Sequence, residues 1–412
     1  MTDMDKKIEL VMPAGNLERL KVAVRYGADA VYLSDRFFGL RGKAGNFTLR
    51  EMKEGVEYAH SKGCKAYCTV NVFAYNKDFR RVEQHLKILK HDIGVDAVII
   101  SDPGLVDLAR EVVPELPVHL STQANTLNYR ACMFWKKQGV KRVVLARELP
   151  FEDIKEIAEK DIMELEVFVH GSLCIAYSGR CFLSNYMTRH RDANRGLCTN
   201  SCRWSYAVME EQRDGEFYPM EQDERGTLFF NSKDLCLIQH IPSLVGCGVQ
   251  SLKVEGRTKS VSYCSTVAAV YRQAIDAYYE SEERFREELP RYHEELSLLG
   301  GRGYTEGLFV KKAKDQYNYD GKDIGQYFDY AGLLIEKVSQ RDKQLYKVNI
   351  KKKVLWGDKV QLFLPGLCKE QREISGIYNL EGYPVQSAVP GDTVLLDGFS
   401  DCEEYTVLRL EK

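Results

Sequence analysis

A chain of 412 residues, 44% hydrophobic and 29% charged, is long enough for one large domain and a smaller one, and its composition is neither disordered nor fibrous. A net charge of −2 excludes a globally basic nucleic-acid binder but leaves room for a local basic face, because counterion release depends on the charges beside the phosphates. The opening Met1-Thr2-Asp3-Met4-Asp5-Lys6-Lys7 lacks the apolar core of a signal peptide, and no run reaches the roughly 18 apolar residues of a membrane helix. A cytoplasmic protein without membrane contact is therefore expected, in which the twelve cysteines are metal ligands where they cluster and small apolar core residues where they scatter.

Ile8–Ala14 predicts a first strand, after which Asn16 caps a helix to about Tyr26 with Leu17, Leu20, Ala23 and Val24 on one face. Ala30–Leu33 is the next strand. A helix from Glu51 to Lys62 stops at Gly63, and the β-branched and aromatic Lys65–Val70 follows as the third strand. The cycle repeats through strands at Ala97–Ile100, Pro117–Leu120, Arg142–Ala146 and Leu165–Val169, and an eighth, Ser251–Val254, comes after a cysteine-rich insertion. Eight strands in βα alternation, read as apolar on both faces, predict an α/β fold, a (β/α)8 TIM-like barrel, with a doubly wound open sheet as the alternative. Pro13-Ala14-Gly15-Asn16 lacks GxGxxG spacing, which argues against a dinucleotide site.

In a barrel the chemistry sits at the C-terminal strand ends. The polar residues expected there are Asn71, Ser101, Asp102, Ser121, Gln123, Asn125, Arg147, Glu148, His170, Glu255 and Arg257, of which His170, Glu255 and Arg257 are the catalytic candidates. The Gly-rich loop Arg41-Gly42-Lys43-Ala44-Gly45-Asn46 carries two cations and suits an anionic small molecule, so Arg41 and Asn46, with Gln123 from the strand ends, are candidates for substrate binding. Arg257 either clamps a carboxylate or phosphate or pairs with Glu255.

Between strands seven and eight, residues 166–236 hold Cys174, Cys181, Cys198, Cys202 and Cys236, with spacings of six, sixteen, three and thirty-three residues. Cys198 and Cys202 alone form a tight pair of the kind structural zinc favours, so a dispersed iron-sulfur site fits the pattern better while zinc stays open. Arg180, Arg189, His190, Arg191, Arg195 and Arg203 lie among these thiols with Tyr177, Tyr186, Trp204 and Tyr206 interleaved. They form a local basic patch able to meet RNA or another anion, with Arg180, Arg191 and Arg195 as candidate contacts. A solvated face is the plainer alternative.

From Ser260 an amphipathic helix carries Val267, Val270, Tyr271 and Ala274 on one face, and a charge-rich helix runs to about Leu299. The expected organisation is a barrel domain over 1–310, a polar linker over 311–325 and a C-terminal domain over 326–412. Short alternating strands in the last part predict a small β-barrel, and Lys351-Lys352-Lys353 reads as a solvated charge run more readily than as an RNA contact.

Glu166-x-Phe168-x-x-Gly171-Ser172-Leu173-Cys174-x4-Gly179-x-Cys181-x-Leu183-Ser184 resembles the signature of the peptidase U32 family. The resemblance continues through Asn194-Arg195-Gly196-x-Cys198, Asn231–Cys236, Ser251–Arg257 and Arg302-Gly303-Tyr304-Thr305-x-Gly307, and the run Arg191–Trp204 is most similar to the family's tRNA-hydroxylation branch. The resemblance implies a [4Fe-4S] cluster on Cys174, Cys181, Cys198 and Cys236, with Cys202 a rival for one place, and leaves the other seven cysteines structural. It further implies oxygen-independent hydroxylation of the tRNA wobble uridine to 5-hydroxyuridine, with prephenate as co-substrate and a second U32 family protein as a partner. Prephenate is a dicarboxylate, so Arg41 and Arg257 are natural partners for it. Other family members act on rRNA or a quinone precursor, and the family name itself implies a collagenase-like peptidase. For the latter the sequence offers no HExxH and no GxSxG, and its one Cys-His candidate, His170 with Cys174, uses a thiol better assigned as a ligand. A non-enzymatic RNA binder with structural zinc is the third reading.

Overall fold

In the computed structural model the described residues are 7–39, 46–174, 176–177, 181, 183–188, 191–193, 197–203, 222–223, 226–227, 233–310 and 325–411. Strands β1 (Glu9–Pro13), β2 (Ala30–Leu33), β3 (Lys65–Thr69), β4 (Ala97–Ile100), β5 (Val118–Leu120), β6 (Arg142–Val144) and β7 (Glu164–Ser172) pair in parallel, each with the next. Helices α1 (Leu17–Arg25), α2 (Leu49–Ser61), α3 (Phe79–Ile88), α4 (Pro103–Val112), α5 (Tyr129–Lys137) and α6 (Phe151–Glu159) alternate with them.

Local chemistry fixes where these helices begin. The Asn16 side chain accepts from Arg19 N, Thr48 and Glu51 form a reciprocal capping box, and Asp102 caps α4 ahead of Pro103. Thr48 moves the start of α2 two residues ahead of the expected Glu51.

After β7 come α7 (Leu183–Thr188), β8 (Asp234–Cys236) and α8 (Ile241–Gly246), then β9 (Ser251–Val254), which closes the barrel. Ser251 of β9 pairs in parallel with Glu9 of β1 on one side and Glu166 of β7 on the other. The eight-stranded TIM-like barrel expected from the alternation is thus observed. α9 (Val261–Glu280), α10 (Glu282–Ser297) and β10 (Tyr304–Thr305) complete this part. β8 runs antiparallel to the extended end of β7, with Cys236 opposite His170 and Asp234 opposite Ser172, and β10 pairs with β8.

The barrel interior corrects one expectation. Its strands are not apolar on both faces, because Glu9, Arg142, Glu166 and Lys253 are all buried inside it. Lys253 Nζ lies 2.5 Å from Glu166 Oε1 and 4.6 Å from the centre of the Tyr32 ring. Arg142 bonds Glu9, reaches Glu166 at 3.1 Å and holds Glu164 through Nε and Nη2. Burial works to raise the Glu166 carboxyl, and the charges of Lys253 and Arg142 outweigh it, so the group is held below its usual range. The aliphatic core lies between the barrel and its helices, while inside only Val11, Ala30, Tyr32, Tyr67, Ala97 and Ile99 form an apolar cluster among the described residues.

The C-terminal part is an antiparallel sheet of β11 (Phe328–Gln340), β12 (Lys343–Ile350), β13 (Lys359–Leu364), β14 (Cys368–Glu373), β15 (Gly376–Tyr378), β16 (Thr393–Asp397) and β17 (Val407–Glu411). It has its own core around Tyr346, Val348, Leu362 and Leu408. Against the barrel, Tyr26 stacks on Phe363 at 5.6 Å and donates to its carbonyl at 2.5 Å. Arg409, 1% exposed, bonds Glu295 of α10 at 2.6 Å and Thr266 of α9 at 2.7 Å, with its guanidinium between Phe328 and Phe363. Among the described residues no helix is long and apolar enough to cross a membrane.

Candidate functional site at the barrel mouth

At the C-terminal strand ends, the side chains following β3, β4 and β5 lock into one another. Asn71 Nδ2 donates to Gln123 Oε1 at 2.8 Å, Ser121 Oγ donates to the same oxygen at 3.0 Å, and Gln123 Nε2 returns a bond to the Asn71 carbonyl at 3.2 Å. Ser101 Oγ donates to that carbonyl as well, at 3.0 Å. Buried polar groups joined this way keep fixed orientations, which a binding floor requires.

Arg257, three residues past β9 and 3% exposed, donates from Nη1 to Thr69 Oγ1 at 2.7 Å. Its carbonyl accepts from Arg19 at 3.2 Å. Gly15 makes this possible, since a Cβ there would lie 2.0 Å from the Arg257 carbonyl oxygen. Beside the two readings of Arg257, the structure shows another partner, the Thr69 hydroxyl at the end of β3. Glu255, next to this arginine, is nearly buried, and its backbone bonds His170 O and the Tyr263 hydroxyl. Asn46, also buried, has φ +41° and precedes Phe47, whose backbone pairs with Asp35.

His170 does not join this mouth. A register shift opposite Lys253 and Val254 breaks the alternation of β7, and the imidazole turns outward under α9. There its ring lies 5.2 Å from Tyr304, 5.5 Å from Tyr271 and 5.8 Å from Tyr263, and Nδ1 lies 3.3 Å from the Tyr271 hydroxyl. Burial pushes its pKa down to about 3, so it is neutral near pH 7. Gly171 follows at φ +105°, where a Cβ would meet the Glu255 carbonyl oxygen at 2.4 Å, so the strand crossing itself requires glycine.

The remaining polar residues expected at the mouth divide by role. Asp102 is a helix cap that also accepts from Ala74 N, and Arg147 donates to the Ser172 carbonyl at 2.6 Å while lying over Phe168. Thr69 and Asp35 were not anticipated. Thr69 reads as a mid-strand residue, whereas Asp35 carries a recognisable signal, an Asp directly before a short aromatic turn.

Of the cysteines, Cys174 is exposed, Cys181, Cys198 and Cys202 are half-buried, and Cys236 is buried. Burial raises the Cys181 thiol, the amides of Leu183 and Ser184 lower it, and the charges of Cys198 and Cys174 raise it further. Ser184 Oγ and Asn200 N approach Cys198 Sγ at 3.8 and 3.4 Å. Cys236 is different: its thiol lies 3.9 Å from the Tyr271 hydroxyl in the core, and burial pushes it up to about 11. Among the described residues no group of three or more His, Cys, Asp or Glu is arranged to hold a metal ion. Of the four expected ligands, Cys174, Cys181 and Cys198 lie toward the surface and Cys236 faces inward. Arg191, half-buried after α7, donates its amide to Thr188 Oγ1 at 3.3 Å. Arg41, Arg180 and Arg195 lie outside the described residues.

Fold and mouth together define a TIM-like barrel protein with a polar, arginine-bearing site at the C-terminal strand ends and a cysteine segment inserted before the closing strand. Residues 15–319 match the model of Peptidase family U32, and the chain belongs to that family. It is 41% identical over 395 residues to tRNA hydroxylation protein P1 of Bacillus subtilis, covering 93% of this chain and 90% of that protein. It is 39% identical to tRNA hydroxylation protein P of Escherichia coli, covering 94% and 95%. A third relative, the 23S rRNA 5-hydroxycytidine C2501 synthase of Escherichia coli, is 32% identical over 78% of this chain and 46% of that protein.

Proposed function

We propose that this protein is an RNA hydroxylase acting on tRNA, converting the wobble uridine to 5-hydroxyuridine with prephenate as co-substrate and a [4Fe-4S] cluster as cofactor. The observation that carries the reading is similarity along nine-tenths or more of both chains to two proteins named for tRNA hydroxylation. Cys174, Cys181 and Cys198 would hold the cluster, with Cys236 as fourth ligand on the strength of its place in the motif. A bound cluster would supply electron transfer. Arg257, oriented by Thr69, would pair with a carboxylate of the co-substrate. The Asn71–Ser101–Ser121–Gln123 network would form the fixed polar floor beneath it. A second U32 family protein as partner belongs to the same proposal.

The test is mass spectrometry of tRNA nucleosides from a strain lacking this gene. Loss of 5-hydroxyuridine and its derivatives, restored by the wild-type gene and not by Arg257→Met, is expected. Unchanged nucleosides in a strain with no paralogue would overturn the reading. The rRNA-modifying relative supports one second reading, hydroxylation of rRNA, which the same digest applied to ribosomal RNA would reveal.

A further inference from the structure

Beside the mouth, the turn after β2 is built to hold one aromatic ring out of the protein. Asp35, 3% exposed, accepts from the amides of Phe37 and Phe38 at 3.0 and 2.9 Å, and its other carboxylate oxygen lies 3.5 Å from His85 Nε2 on α3. Phe38 is buried against His85, with ring centroids 5.1 Å apart, which pins the turn to that helix. The consequence falls on Phe37. It is 67% exposed, with the Arg81 guanidinium 5.3 Å from its ring centre.

Tyr75, 58% exposed, stands at the start of the helical segment leading into α3, where its amide bonds Asp78 at 2.9 Å. Six residues of helical rise separate Tyr75 from Arg81, about 10 Å. Arg36, Lys77, Arg80 and Arg81 are all exposed on the segments that carry the two rings, with Arg81 over Phe37. Asp35 is spent inside the turn and Asp78 on the Tyr75 amide, while Glu51 lies within electrostatic reach of Arg36, so the outward positive charge rests chiefly on Lys77, Arg80 and Arg81. Both segments leave the C-terminal ends of barrel strands, on the rim that carries Asn71 and Arg257.

We propose that Phe37 and Tyr75, framed by Arg36, Lys77, Arg80 and Arg81, form a stacking platform for unpaired bases of the RNA substrate beside the mouth. The inference rests on the RNA reading above and adds to it the surface that meets the nucleotides. Two exposed aromatic rings on neighbouring rim segments that carry cations are what sequence-tolerant recognition of single-stranded RNA requires: rings stack on bases while cations follow the phosphates. A single exposed phenylalanine needs no explanation by itself. This one is held outward by a buried carboxylate and lies beside a guanidinium, which a solvated loop would not require.

The test measures binding of fluorescent tRNA to the full-length protein by anisotropy across a salt series, alongside the nucleoside assay. Phe37→Ala and Tyr75→Ala should each weaken binding about tenfold, with Phe37→Trp close to wild type. Arg80→Ala with Arg81→Ala should lower the slope of log affinity against log salt by about 0.7 per cation removed. Because the substituted side chains are exposed, all variants should keep the wild-type melting temperature, which separates lost contact from lost fold. If the wild type binds and modifies tRNA while Phe37→Ala and Tyr75→Ala bind equally well, the platform is refuted and the function stands. If the wild type neither binds nor modifies tRNA, the function falls and the platform with it.

Discussion

Removing one member of the charge network inside the barrel should reveal how strongly its members depend on each other. Glu166 is fully buried and has three partners, Lys253 at 2.5 Å, Arg142 at 3.1 Å and Ser251 at 3.1 Å. Lys253 has one carboxylate within contact among the described residues, Glu166 itself. Lys253→Met therefore leaves Glu166 with Arg142 and Ser251, and should cost about 3 kcal/mol, the lower end of the range for breaking a buried pair. Glu166→Leu leaves Lys253 buried with no carboxylate in contact, and should cost about 5 kcal/mol. The double variant Lys253→Met with Glu166→Leu should be more stable than Glu166→Leu alone, because Arg142 keeps Glu9 and Glu164 and no ammonium remains to be neutralised. Urea unfolding followed by far-ultraviolet circular dichroism measures this, with the single variants lowering the midpoint by about 1 M or more. A Glu166→Leu protein within about 1 kcal/mol of wild type, or a double variant less stable than either single, would refute the reasoning.

Acid should act on His119, whose pKa is driven well below its usual value by burial and by the charges of Arg142 and Lys253. A depressed histidine supports the fold above its unfolded pKa of about 6.5 and loses that support as pH falls toward the folded value, so His119→Phe should flatten stability below about pH 6.5. An unchanged acid limb in thermal melts at stepped pH would count against this. Cys181→Ala should lose iron and tRNA modification together, and metal analysis finding full iron in that variant would remove Cys181 from the ligand set. Arg409→Met should leave the Glu295 carboxylate buried with Lys369 as its remaining cation and lower stability by about 3 kcal/mol, read as a shift in thermal midpoint.

The barrel was legible because apolar strands alternate with helices that carry punctuation, Asn16 before the first and Gly63, at positive φ, after the second, whereas the Thr48 and Asp102 caps emerge only in the structure. Gln123 and Arg257 were expected at the mouth because they follow predicted strands, and both are found there. His170 was expected at the mouth because it follows the seventh predicted strand, whereas β7 continues past it and the irregularity opposite Lys253 leaves its ring beside Tyr263 and Tyr271 of α9. The interior network was missed although Glu9, Arg142, Glu166 and Lys253 are plain in the sequence. A charge within an apolar strand does not say which neighbour compensates it, and Glu9 and Arg142 lie 133 residues apart. The cysteine spacing was legible as a pattern, whereas the inward turn of Cys236 depends on Tyr271 of a later helix.

The bond between Arg409 and Glu295 spans 114 residues, and it bears on the order of events as the chain leaves the ribosome. When α10 has emerged, Glu295 has neither Arg409 nor Lys369 beside it, and Tyr26 lacks the Phe363 ring on which it stacks. The nascent barrel thus waits with an acidic gap in its flank until the sheet is synthesised. Co-translational collapse of the first three hundred residues should be followed by a distinct docking step, visible as late protection of α10 in pulse-labelled hydrogen exchange.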